Sequence, residues 1–266
     1  MPPRDTGRMS TLVRRAARPS VFSLSRYGWG QRVLLVALAL IGSAAFAYAA
    51  NLASRNALWQ VTRVCALDRE TTGSPMPCLE VNLADGRARG YAVLRPPFGR
   101  PDTILTPTAR VVGLEDPFLQ GEDAPNYFAL AWGARRWLAP VPASERVALA
   151  VNSRLARSQD QLHVHVGCLS AEFVDRLKSG VGPKPGVWFR GPDMAPGLEF
   201  WTYRGGKDVS ALSPFRLLKS LVGDAAAMRR TTLGVAQWKG EFVVAAMRSR
   251  PGGWYSAAED MINGGC

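Results

Sequence analysis

Twenty-two consecutive residues, Val33 to Ser54, carry no charge, and they open with Val33-Leu34-Leu35-Val36-Ala37-Leu38-Ala39-Leu40-Ile41. At about 1.5 Å rise per residue, a helix of that length crosses a hydrocarbon core of about 30 Å. The flank before it holds Arg4, Arg8, Arg14, Arg15, Arg18, Arg26 and Arg32 beside the single acid Asp5. Basic residues stay on the cytoplasmic side of a membrane, so the tail is expected inside and the rest of the chain outside. The pattern predicts three parts: a basic cytoplasmic tail over 1–32, a transmembrane signal anchor over 33–54, and an exported domain over 55–266. A cleaved signal peptide is the other reading, because Ala47-Tyr48-Ala49 has the small-x-small form of a cleavage site.

Charge excludes some classes of function. The chain has 33 Lys and Arg against 21 Asp and Glu, a net charge of +12. Half of that excess sits in the first 32 residues, so the remainder is only modestly basic and does not read as a nucleic-acid binder. Hydrophobic residues make up 47% of the chain and charged residues 20%, which fits a folded core and excludes a disordered polyelectrolyte.

All four cysteines, Cys65, Cys78, Cys168 and Cys266, follow the apolar segment, where an oxidising compartment lets them pair. Three connectivities are possible. Cys65 and Cys78 bracket Gly73-Ser74-Pro75-Met76-Pro77 and are expected to pair, which leaves Cys168 with Cys266. Zinc ligation is the rival reading, although no Cys-x-x-Cys occurs.

The exported part reads as α+β. Leu79–Leu83 and Tyr91–Leu94 form an expected hairpin around Ala84-Asp85-Gly86-Arg87, and Ile104-Leu105-Thr106 is a strand stopped by Pro107. Pro125–Leu138 reads as a helix with proline in its first turn, and Ser170–Lys178 as a helix capped by serine. Arg146–Val151, Leu162–Cys168, Leu233–Trp238 and Glu241–Met247 read as strands, the last two joined at Lys239-Gly240, and a helix is expected near Pro214–Leu221. Gly180–Gly197 is rich in Gly and Pro and reads as a surface loop.

The only two histidines lie in Gln161-Leu162-His163-Val164-His165-Val166-Gly167-Cys168. A side-chain period of two puts Gln161, His163 and His165 on one face of a strand and Leu162, Val164 and Val166 on the other. The preceding stretch, Asn152 to Asp160, offers Arg154, Arg157, Asn152 and Ser158 as donors suited to phosphate oxygens. A metal site would need a third ligand, and the nearest acid in sequence is Asp160. A phosphate-binding loop beside one nucleophilic imidazole is the alternative. An unperturbed imidazole, with a pKa of about 6.5, would lose its attacking lone pair as pH falls through that region.

The run Ala148 to Arg154 leading to His163-Val164-His165-Val166 resembles the nucleotide-binding strand and loop of the histidine-triad superfamily. More closely, the chain is similar to its membrane-anchored bacterial branch, the CDP-diacylglycerol pyrophosphatases. The resemblance rests also on Thr106-Pro107-Thr108, Gly113-x-Glu115-x-Pro117, Pro125 to Trp132, Ser213-Pro214-Phe215, the cysteine positions and the apolar segment, and it covers roughly Asn56 to Cys266. It implies a histidine-triad-like antiparallel sheet with helices and a C-terminal extension. It also implies a hydrolase of phospholipid metabolism that splits CDP-diacylglycerol into CMP and phosphatidate without cofactor or obligatory metal. The setting implied is the bacterial inner membrane, crossed once, with the catalytic domain periplasmic and no protein partner required. In the superfamily the middle histidine forms a nucleotidyl-histidine, which makes His163 the nucleophile and His165 its supporting third histidine. Gln161 stands where the first histidine would be, and Gln161→His is expected to be tolerated. Asn152 and Ser158 match phosphate-contacting positions, and Arg154 and Arg157 are additions from chemistry alone. The alternatives are a hydrolase of soluble nucleotide pyrophosphates and a non-catalytic metal or nucleotide binder.

Overall fold

A computed structural model describes residues 28–96 and 100–262, apart from the side chains of residues 47–49 and 51–53. The chain separates into two compact units, residues up to 50 and residues from 51 onward. The described part of the first lies in one helix, α1 (Trp29–Arg55), whose stretch Trp29–Phe46 has a mean hydropathy of 1.5 and no buried residue. By length and composition it can cross a membrane. The expected tail over 1–32 lies largely outside the described residues.

In the second unit the elements run α2 (Ala57–Thr71), β1 (Glu80–Asn82), β2 (Tyr91–Leu94), β3 (Thr103–Pro107), α3 (Tyr127–Ala134), β4 (Val147–Val151), β5 (Val164–Cys168) and α4 (Ala171–Gly180). They continue with β6 (Trp188–Arg190), β7 (Leu198–Arg204), α5 (Pro214–Val222), α6 (Ala225–Arg229), β8 (Thr231–Trp238), β9 (Glu241–Ser249) and α7 (Ala258–Met261). Among the described residues the nine strands form one sheet in the order β1-β2-β3-β5-β4-β8-β9-β7-β6, with every pairing antiparallel. The segment after Gly180 therefore continues the same sheet.

Local chemistry explains several boundaries. Ser170 accepts from Phe173 N at the start of α4, and Pro214 occupies the first turn of α5, where a missing N–H costs nothing. Lys239 (φ 50°) and Gly240 (φ 81°) are both left-handed, as a two-residue hairpin between right-twisted strands requires. Two expectations are corrected. Pro125 stands outside α3; the cap is Asn126, whose side chain accepts from Ala129 N and donates to Leu212 O at 2.6 Å. Gly180–Gly197 is not all loop, because Trp188–Arg190 pairs with β7.

Val164 and Val166 of β5 face a core built with Tyr127 and Phe128 of α3 and Phe215 of α5. On the opposite face Ala148 and Ala150 of β4 and Ala236 of β8 are small, and this lets the last helix approach. A Cβ on Gly167 would come within 2.3 Å of Ile262, and one on Gly234 within 2.2 Å of Met261 Sδ. Only glycine at these two positions allows the α7 segment to lie against the sheet beside β5. Cys65 and Cys78 are bridged as expected, tying α2 to the turn before β1. Cys168 is buried, and Cys266, its expected partner, lies outside the described residues.

Candidate active site

β5 starts at Val164, so His163 enters it and His165 lies within it, opposite Ile104 of β3 and Ala150 of β4. Both imidazoles are buried rather than set on an exposed strand face, and their ring centres lie 4.9 Å apart. They line a cavity of about 530 Å³ together with Asn152, Ser158, Arg100 and Glu259.

The hydrogen bonds assign the tautomer of His163. Its Nδ1 lies 2.8 Å from the backbone oxygen of Gln161, and a carbonyl can only accept, so the proton is on Nδ1 and Nε2 carries the free lone pair. Burial pushes the pKa of His163 down, and the neighbouring charge of His165 adds to this. The bond to Gln161 and the charge of Glu259 offset part of it, leaving a value of about 4. The imidazole is neutral at physiological pH.

His165 is held differently. Its Nδ1 donates to Asp102 Oδ2 at 2.9 Å, and Asn152 Nδ2 lies 3.5 Å from its Nε2. Asn152 is itself oriented by Ala258 N, which donates to its Oδ1 at 2.6 Å. Burial raises the Asp102 carboxyl, but the bond and charge of His165 and the charge of Arg100 outweigh it and hold the group below its ordinary range. Arg100 bridges two carboxylates, lying 3.1 Å from Asp102 and 2.9 Å from Glu259. For Glu259, too, the charges of His165 and Arg100 overcome the upward push of burial.

Asp102, Arg100 and Glu259 were not among the residues expected from the sequence. Asp102 is separated from His165 by 63 positions and Glu259 from Asn152 by 107, and only the fold joins them. The nearest acid in sequence, Asp160, instead pairs with Arg55 at 2.7 Å and with Arg157 at 3.2 Å.

Of the expected site residues, His163, His165, Asn152 and Ser158 line the cavity, while Gln161, Arg154 and Arg157 do not. Gln161 is fully buried with its amide donating to Pro107 O at 3.0 Å and Ala109 O at 2.9 Å, so its side chain fixes the exit of β3. Arg157 is buried against Glu115, with guanidinium nitrogens 2.9 and 2.8 Å from the two carboxylate oxygens. Gly113 makes room for this pair, because a Cβ there would lie 2.0 Å from Arg157 Nη1. Arg154 is more than half exposed and 3.8 Å from Asp160. Several quoted sequence signatures thus build the frame: Thr106 Oγ1 donates to Leu162 O at 2.7 Å, and Phe215 packs on Phe128 at 5.0 Å.

A family model described as CDP-diacylglycerol pyrophosphatase matches residues 53–266. A Yersinia pestis protein described as CDP-diacylglycerol pyrophosphatase is 30% identical over 230 residues, covering 83% of this chain and 87% of that protein.

Proposed function

The chain belongs to the CDP-diacylglycerol pyrophosphatase family and is a hydrolase of CDP-diacylglycerol; we propose that it works through a nucleotidyl-histidine on His163. The observation that carries this is the neutral His163 with its proton fixed on Nδ1 and its Nε2 lone pair free in a substrate-sized cavity. Nε2 attacks the phosphorus of the CMP moiety. The bond from that phosphorus to the bridging oxygen breaks, and phosphatidate leaves with the electron pair. Water then attacks the same phosphorus, the P–N bond breaks with its electrons returning to Nε2, and CMP departs.

The surrounding groups support both steps. Asn152 and Ser158 offer neutral donors to the phosphoryl oxygens, and the Arg100 guanidinium at the cavity wall, paired with Asp102 and Glu259, offsets their negative charge. His165, whose Nδ1 proton is bonded to Asp102, carries its lone pair on Nε2 beside Asn152 Nδ2 and is suited to accept the proton that the attacking water gives up. Gln161 contributes through its backbone carbonyl, which sets the tautomer of the nucleophile, so the substitution of the first histidine of the triad leaves that function in place. The antiparallel sheet with the two histidines on an interior strand is consistent with the histidine-triad relationship.

The apolar α1 and the seven-arginine flank support a single-pass inner-membrane anchor with the tail cytoplasmic and residues 55–266 periplasmic. Protease added to spheroplasts is expected to digest the C-terminal part and spare an N-terminal tag; the reverse pattern would reject this orientation.

The chemistry is tested with the purified protein and CDP-diacylglycerol in the presence of chelator. CMP and phosphatidate should appear in equal amounts, and an alkaline quench, under which a phosphoramidate survives, should leave CMP on His163 by mass spectrometry. Turnover with no adduct on either histidine would point to direct attack by water.

A further inference from the structure

The cavity that holds the imidazoles also has apolar lining: Leu58 and Val61 of α2, Pro77, Leu94 and Ile104, the last paired with His165 in the sheet. Arg95 and Gln159 complete it, and Gln159 Oε1 accepts from Leu58 N at the start of α2. Val61 belongs to both cavity and surface, since it is 36% exposed. Two further apolar side chains follow at three-residue intervals, Val64 at 54% and Leu67 at 55% exposure. Residues three apart are neighbours on a helix surface, so the three form one stripe that leaves the cavity and runs about 9 Å along α2.

Isolated exposed apolar residues are ordinary. This stripe differs because it is continuous with the wall of a substrate cavity and lies on a fixed helix. The other side of α2 buries Thr62, Cys65 and Ala66, and the Cys65–Cys78 bridge ties it to the turn that supplies Pro77. A rigid apolar strip leading away from the cavity that holds the imidazoles matches a substrate whose phosphates carry hydrocarbon on one side.

We propose that the Val61, Val64 and Leu67 face of α2 is the track on which the acyl chains of the lipid substrate lie while its pyrophosphate is at His163. The proposal rests on the reading of the cavity as the CDP-diacylglycerol site. Covering hydrocarbon on such a strip strengthens binding by about twofold to fourfold for each methylene buried.

The test uses the full chain held in an amphipathic polymer and a series of CDP-diacylglycerols from dibutanoyl to dioctanoyl, each below its own micelle concentration. In the wild type kcat/KM should climb with chain length. In the double variant Val64→Gln with Leu67→Gln the climb should stop at shorter chains, so that the ratio of dioctanoyl to dibutanoyl activity falls by about tenfold. Val64→Ser with Leu67→Ser is the second variant, and thermal melting identifies whichever pair keeps the fold. Equal chain-length ratios in an active wild type and variant would overturn the track alone. A variant that changes only the oligomeric state would do the same, marking the stripe as a self-association face. A wild type that releases no CMP at any chain length would overturn the substrate reading and the track with it.

Discussion

The Nδ1 of His165 donates to Asp102 across 2.9 Å, and both side chains are buried in the middle of the sheet. Register explains the meeting: Thr103 pairs with Val166 and Ile104 with His165, which brings the residue before β3 alongside the histidine. A charged carboxylate at that place keeps the proton on Nδ1 and turns Nε2 toward the cavity. Asp102→Asn keeps the shape but loses the charge. It is expected to lower kcat by about 10²-fold while KM changes by less than about threefold. Steady-state kinetics decide the matter, and an unchanged kcat would remove Asp102 from the mechanism.

His163 gives a pH signature. An unperturbed histidine would stop attacking near pH 6.5, whereas burial and the nearby His165 charge take this one down to about 4. The limb of kcat/KM that belongs to the nucleophile should therefore lie near pH 4, and His163→Ala should lose about 10³-fold or more in kcat. The same shift acts on stability. Because the folded-state value is below the unfolded one of about 6.5, the unfolded chain takes up the proton first as pH falls, so stability declines from about 6.5 toward 4. Urea midpoints compared at pH 7 and pH 4.5 should drop further in the wild type than in His163→Ala. Equal drops would mean that His163 is not held neutral by the fold.

Sequence periodicity exposed those features that short-range chemistry decides. The alternation around His163 and His165, the Ser170 cap and the Lys239-Gly240 turn are each settled within a few residues. Asp102 and Glu259 were not legible, because nothing beside them in the chain marks them and their roles arise only when β3 and α7 reach β5. The period of two also overreached at Gln161, which precedes the strand and turns its amide to backbone carbonyls of the 107–109 segment. Gln161→His is accordingly expected to be destabilising rather than neutral, since it leaves buried acceptors unpaired at about 1 to 3 kcal/mol each. α2 escaped notice for a different reason: it mixes Arg, Asp and Glu with Val and Leu, and Asn56 makes no side-chain cap bond.

Arg157 illustrates how residue type alone misassigns a role. Its side chain is 2% exposed, and it faces Glu115, which is 8% exposed, so each charge depends on the other in a poorly solvated place. Removing Arg157 leaves Glu115 buried with only the half-exposed Arg229, 3.8 Å away, as a counter-charge. Arg157→Ala should cost about 3 to 5 kcal/mol by urea denaturation. If Arg157 were a phosphate ligand, the stability would hold and KM would rise instead.

The bridge between Cys65 and Cys78 closes a loop with a sequence separation of 13 and fixes the helix that forms the apolar wall of the cavity. Cross-linking of this kind restricts the unfolded chain, so the Cys65→Ser and Cys78→Ser double variant should lose about 2 to 4 kcal/mol. The effect on function is separable, because Leu58 and Val61 line the cavity from α2 while His163 and His165 stand on β5 and its entrance. KM for CDP-diacylglycerol should rise, and kcat at saturating substrate should stay within about threefold of the wild type. Peptide mapping without reduction checks the pairing and also tests the expected second bridge, Cys168 with Cys266. Four free thiols in the protein would defeat both assignments. A variant that keeps its KM would show that α2 holds its place through the burial of Leu58, Thr62 and Ala66 alone.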